Sequence, residues 1–169
     1  NLTEFGILKR IGVFNKNKFV YKHISPLARI FYYADEKYNI SERTLTKEEM
    51  KRIVDEVLPK IIEDNIREFL SIKLSLQESV CEAKDYDVDA CLLRFQKVDT
   101  AIEIKWKDKV DLSEVKEASK KLDLVKPRRK IFFTIDKTKL NKVEGIEVMD
   151  IKDFVWESIS EFASSHGNT

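Results

Sequence analysis

Histidine is nearly missing from this chain, with two in 169 residues. His166 lies in the polar stretch Ser164 to Thr169, which is expected to fray as terminal segments do, so His23 is the other candidate. A histidine-built metal site or a Ser–His–Asp triad is therefore not expected. Cysteine is equally scarce. Cys81 and Cys91 are too few for a disulfide framework, and their spacing is not that of a zinc knuckle. They read as reduced thiols on strands. Neither a Walker A loop nor a G-x-G-x-x-G occurs, so the chain alone is not expected to hydrolyse ATP or bind a dinucleotide. No apolar run is long enough to span a bilayer and no segment reads as a signal peptide, which makes a cytoplasmic address the expectation. Net charge is also nearly absent: 31 Lys+Arg stand against 30 Asp+Glu. A nucleic-acid partner is neither favoured nor opposed by that total, and only the distribution of charge can speak.

What is present suits a folded domain. The length fits one domain, or one with a small appendage. Hydrophobic residues make up 43%, enough for a packed core, and charged residues 36%. That charged share exceeds the usual quarter. With few Gly, Pro, Cys and Met, it also fits a thermophilic source.

The chain opens with a short helix end running into Gly6, a natural helix stop. Ile7 to Val13 and Phe19 to Ile24 read as strands joined by the polar turn Asn15-Lys16-Asn17-Lys18. Helix end, strand, turn and strand form the second half of a winged helix, so residues 1–24 are expected to be its C-terminal part, in a fragment of a longer protein. Ser25-Pro26 then starts a helix through Tyr38, with Ser25 as N-cap. Leu27, Ile30, Phe31 and Ala34 share its apolar face, and Phe31, Tyr32 and Tyr33 read as core or interface rather than a base-stacking platform. A polar break, Ile40 to Thr46, follows. Thr46-Lys47-Glu48-Glu49 is a capping box that opens the next helix. Residues 25–58 thus form a helical linker. Pro59 should kink the second helix or split it in two, with 59–169 as the main domain.

Beyond Lys60 the expected order is helix, three strands, helix, strand, strand, helix. The strands are Ser75 to Lys84, Asp87 to Phe95, Thr100 to Trp106, Lys130 to Ile135 and Ile146 to Met149. Gln96 to Asp99 is expected to be the hairpin link. Asp111-Leu112-Ser113-Glu114 caps the helix to Leu124, and Asp150 or Asp153 opens a terminal helix through Phe162. A helix between the third and fourth of these strands permits a parallel crossover in a mixed sheet. The fold class is α/β.

The chemistry concentrates at Ala101-Ile102-Glu103-Ile104-Lys105-Trp106. Alternation puts Ile102, Ile104 and Trp106 on one face and Glu103 and Lys105 on the other. Alone, Glu103 and Lys105 read as a surface ion pair of little worth. The preceding strand, with Asp87 and Asp89, changes that reading, because a hairpin brings Asp89 beside Glu103. Two carboxylates held close repel, and a divalent cation relieves them. Mg²⁺ or Mn²⁺ would find oxygen ligands in Asp89, Glu103 and the Ile104 carbonyl, with Glu63 on the upstream helix as a further ligand. A metal-activated water could attack a phosphodiester, and Lys105 would orient it or stabilise developing charge.

Asp89 followed by Glu103-Ile104-Lys105 resembles the motif of the PD-(D/E)xK nuclease superfamily, with Val88 in place of the proline. More closely, the chain resembles the C-terminal region of archaeal DEXX-box ATPases. The matching residues are Ile61-Ile62-Glu63-Asp64, Val88-Asp89 and Glu103-Ile104-Lys105-Trp106. Phe5-Gly6-Ile7-Leu8-Lys9-Arg10 and Tyr21-Lys22-His23-Ile24-Ser25-Pro26 fit the same pattern. The resemblance implies a restriction-endonuclease-like αβββαβ core, catalytic Asp89, Glu103 and Lys105, and an ATPase module as partner. Glu68 is the alternative to Glu63. Dimers are frequent among such nucleases, which makes a homodimer an expectation by analogy.

From Glu103 to Lys130 there are ten Lys+Arg and six Asp+Glu, an excess of four basic residues. Lys107 and Lys109 follow the motif directly, and Lys116 and Lys120 lie one helical turn apart. As a group they read as a DNA-phosphate surface. The expected function is a metal-dependent DNA endonuclease-like domain. The alternative is a non-catalytic DNA-binding or regulatory, protein-interaction module of the ATPase.

Overall fold

The computed structural model of the chain describes residues 1–153, apart from Lys84, Asp85, Asp108, Lys139, Asn141 and Lys142. The expected terminal helix to Phe162 and the tail with His166 fall outside the described residues beyond its first turn at 151–153.

Among the described residues eleven elements follow one another. They are β1 (Leu8–Val13), β2 (Phe19–His23), α1 (Pro26–Tyr38), a 3-10 turn (Ile40–Glu42), α2 (Lys47–Lys73), β3 (Gln77–Ala83), β4 (Tyr86–Arg94), β5 (Lys97–Lys105), α3 (Leu112–Asp123), β6 (Arg129–Thr134) and β7 (Glu147–Met149). The strands form one mixed seven-stranded sheet in the order β2-β1-β3-β4-β5-β6-β7. The middle, β3-β4-β5, is an antiparallel meander. The α3 crossover makes β5 and β6 parallel, and β7 is parallel to β6. The α/β class and the mixed sheet are as expected.

The helix starts follow their caps. The Ser25 hydroxyl accepts from the Ala28 N–H, and Pro26 at the first helical position loses no needed donor. Thr46 with Glu49, and Asp111 with Glu114, form complete capping boxes. Asp150 caps the helical turn at 151–153, its carboxylate accepting from the Lys152 N–H at 2.9 Å.

Several expectations change. α2 runs unbroken for 27 residues with Pro59 inside it, so of the two expectations, a kink or a split helix, the split does not occur. The β1–β2 hairpin pairs through β1 with β3, and so belongs to the same sheet as β4 and β5. Overlapping hydrogen-bonded turns, with Phe5 N–H to the Asn1 carbonyl and Gly6 N–H to the Thr3 carbonyl, each at 3.1 Å, stand where a helix end was expected before Gly6. The β4–β5 hairpin is tighter than expected. Its turn is Phe95-Gln96, both at positive φ, and β5 already begins at Lys97. Only Ala34 of α1 is buried; Leu27, Phe31 and Tyr32 are exposed, with Tyr32 stacked on His23. Cys81 and Cys91 are joined as a disulfide across β3 and β4, where reduced thiols were expected. Sequence spacing could not reveal this, because it depends on the antiparallel register that sets Ser79 opposite Cys91 and leaves Cys81 diagonal to it on the same face.

The sheet buries both faces. On one, Ile66 and Leu70 of α2 pack with Ala90, Leu92, Ile102, Ile104, Ile131 and Phe133. On the other, Val115, Ala118 and Leu122 of α3 pack with Cys91, Ala101 and Phe132. The continuous apolar run of β6 is what a strand covered on both sides requires. Ile131, Phe132 and Phe133 are fully buried, each worth roughly 1.5–3 kcal/mol of transfer free energy.

Candidate functional site

The site grows from an irregularity in β4. Ser79 pairs with Cys91 but Cys81 pairs with Val88, so Asp89 and Ala90 together face the single β3 residue Val80. That is a β-bulge, a device that bends a strand and re-aims a side chain. One position beyond the Ala90–Ile102 pair, the Asp89 carboxylate accepts the Ile104 N–H at 2.8 Å. Asp89 is thereby tied to the strand that carries Glu103 and Lys105.

Alternation on β5 is as expected: Ile102 and Ile104 join the α2-side core, with Trp106 against it. Glu103 instead meets α3. It is almost fully buried at 2% exposure, and its two carboxylate oxygens accept from Lys105 Nζ and Lys121 Nζ, each at 2.7 Å. A buried carboxylate is tolerable only when so paired. Lys121 comes from the last turn of α3 and was not singled out from the sequence. An amphipathic reading of α3 carries the signal, since the residue next to the buried Leu122 lies at the edge of the helix's core-facing stripe.

The electrostatics of the three groups differ. Burial, with the charge of Glu103 and a smaller contribution from Glu63, pushes the Asp89 carboxyl up to about 6 against the opposing hydrogen bond from Ile104 and the field of Lys121. For Lys105, burial works against the charge. The hydrogen bond to Glu103 and the fields of Glu103, Asp89 and Glu114 outweigh it, so its pKa is raised and it stays an ammonium. Glu63 is held by Lys60 at 2.9 Å and reaches Asp89 through its field. Glu68 is paired with Lys9 at 2.9 Å instead. Asp87 is exposed and borders, with Asp89, Lys60 and Arg67, a small cavity of about 50 Å³.

The lysines after the motif separate. Lys107 is paired with Glu114 at 2.5 Å. Lys109, Lys116 and Lys120 are exposed. Lys121 points inward to Glu103. At Ile104 the contact with Asp89 comes from the N–H, not the carbonyl. Among the described residues no three His, Cys, Asp or Glu side chains are grouped to hold a metal.

A buried network that the sequence reading missed backs the site. Asp64, next to Glu63 on α2, accepts from Lys22 and Arg67, each at 2.6 Å, and from Arg29. Arg67, at 2% exposure, also reaches Glu78 and the main-chain carbonyl of Asp89, each at 3.4 Å. The hairpin, α1, α2 and the β4 bulge are thus linked through one carboxylate and one guanidinium. Burial raises the Asp64 pKa, but the three cations outweigh it and the net shift is downward.

No family model, curated protein or solved structure matches the chain. Among the described residues no helix is long and apolar enough to cross a membrane.

Proposed function

We propose that the chain is a metal-dependent DNA endonuclease-like domain of the PD-(D/E)xK type, with Asp89, Glu103 and Lys105 as its catalytic residues. The observation that carries this reading is the tie between Asp89 and the Glu103–Lys105 strand, made while burial and Glu103 hold the Asp89 carboxyl at about 6. Two carboxylates so placed are hard oxygen donors under mutual repulsion, and they fit Mg²⁺ or Mn²⁺. Asp89 and Glu103 would hold the ion, with Glu63 as an outer carboxylate. A bound divalent ion would supply Lewis acidity at a phosphodiester. Lys105, kept charged by Glu103, would neutralise a phosphate oxygen. Lys109, Lys116 and Lys120 would contact the DNA backbone, and Lys107 once released from Glu114. The resemblance to archaeal ATPases adds an ATPase module of a longer protein as partner, and a homodimer as the assembly.

The test is cleavage of branched, single-stranded and duplex DNA with Mg²⁺ or Mn²⁺. Glu103→Gln and Lys105→Ala should abolish product formation. Equal activity in wild type and variants contradicts the proposal.

A second reading has its own support. Lys105 and Lys121 already neutralise Glu103, so the charge cluster is self-sufficient without an ion. On that reading the domain binds DNA or a protein partner without cutting. Salt-dependent DNA binding that needs no metal and survives Asp89→Asn would favour it.

A further inference from the structure

An open groove of about 730 Å³ lies between the β1–β2 turn, the β4–β5 turn and the α3–β6 loop. It borders Lys97 at the start of β5, whereas Glu103 stands near the other end. Six residues at about 3.3 Å each put the two regions roughly 20 Å apart along the strand.

Charge and aromatic surface meet in this groove. Arg94 and Arg128 share one buried carboxylate, Asp99, with Arg128 in a two-pronged contact at 2.9 and 3.2 Å. Lys97 and Lys126 are exposed and add two more cations. The lining therefore holds four cations against one anion. Phe95 stands at its rim, 94% exposed, at φ 48. Neither fact helps the fold. A tight turn with two left-handed residues favours Asn-Gly, and a bulky side chain at positive φ is disfavoured. Strain of that kind tends to collect where a side chain has work outside the fold.

We propose that this groove binds a single-stranded nucleic acid, with an unpaired base stacked on Phe95 and the flanking phosphates met by Lys97, Lys126 and the arginine pair. Polyanion complementarity explains the cations, and a flat apolar partner explains the ring; a single strand offers both at once. The proposal does not depend on cleavage at Asp89 and Glu103.

The test is fluorescence anisotropy of a labelled oligo-dT with the whole chain, without divalent metal, across a salt series. An abasic oligomer of equal length and a duplex serve as comparisons. Oligo-dT should bind more tightly than either. Phe95→Ala should weaken oligo-dT by about fivefold or more and leave the abasic strand unaffected. The double variant Lys97→Gln, Lys126→Gln should reduce the slope of log affinity against log salt by about 1.4. Circular dichroism checks that the variants, all at exposed positions, remain folded. Equal affinity for dT and abasic strands, tighter binding of duplex, no detectable binding at low salt, or insensitivity to both variants overturns the proposal.

Discussion

Replacing Asp89 with asparagine should stabilise the protein at neutral pH while removing a residue needed by the proposed site. The amide oxygen can still accept the Ile104 N–H, so the β4–β5 tie is kept. What is lost is a charge that burial and Glu103 oppose. The Asp89 carboxyl rises from 3.8 to about 6 on folding. About two units at roughly 1.4 kcal/mol each give close to 3 kcal/mol, and solvent contact of this half-buried group reduces that to about 1–3 kcal/mol. The sign follows from proton linkage. Below pH 3.8 the group is neutral in both states and costs nothing. Between 3.8 and about 6 the folded protein keeps a proton that the unfolded chain releases, so stability falls as pH rises. Above that window the full cost remains. Groups shifted down, such as Asp64 and Asp99, contribute the opposite slope. The readout is therefore the difference between variant and wild type in urea unfolding, followed from pH 4 to pH 8. It should grow with pH and favour the variant. A difference that is flat with pH, or a variant less stable at pH 7.5 than wild type, refutes the reasoning.

Other outcomes follow from the same geometry. Asp64→Asn strands the three cations Lys22, Arg29 and Arg67 and should cost about 3–5 kcal/mol in urea unfolding. Lys22→Met, which leaves Asp64 two partners, should cost about 1–2 kcal/mol, and the reverse order would contradict the shared-carboxylate account. Pro59 sits inside α2 on its exposed side, where it lacks a donor and crowds the preceding turn. Pro59→Ala should raise stability by about 1–3 kcal/mol in the same assay. Lys121→Met frees one Glu103 oxygen from its ammonium and should tighten Mn²⁺ binding by roughly fivefold to tenfold, on the order of 1 kcal/mol, as read by titration of the free-ion electron spin resonance signal.

Much of the framework was legible in the sequence because it depends on local rules. Caps at Ser25, Thr46 and Asp111 mark helix starts by side-chain chemistry that needs no tertiary information. The alternation around Glu103 sorted the faces of β5 correctly. The parts that were not legible depend on register and long-range packing. Pro59 looked like a break, but helix-interior proline is decided by what the flanking turns bury, and Ile53, Val57, Ile61 and Ile66 are all buried. The hairpin looked like a separate unit because its place beside β3 leaves no mark in its own residues. The bulge at Asp89 and Ala90 is a one-residue slip between β3 and β4, and the disulfide partner of Cys81 is set by the register that places Ser79 opposite Cys91. Lys121 and Arg67 were hidden in a sequence rich in cations, where only burial tells a structural cation from a solvated one.

The most direct test of the metal-centred account is anomalous scattering from crystals grown or soaked with Mn²⁺. The account predicts a peak between Asp89 and Glu103, within direct coordination distance of their carboxylate oxygens, and its loss in Asp89→Asn crystals. Absence of a peak at saturating Mn²⁺, with Glu103 still held by both Lys105 and Lys121, would contradict it.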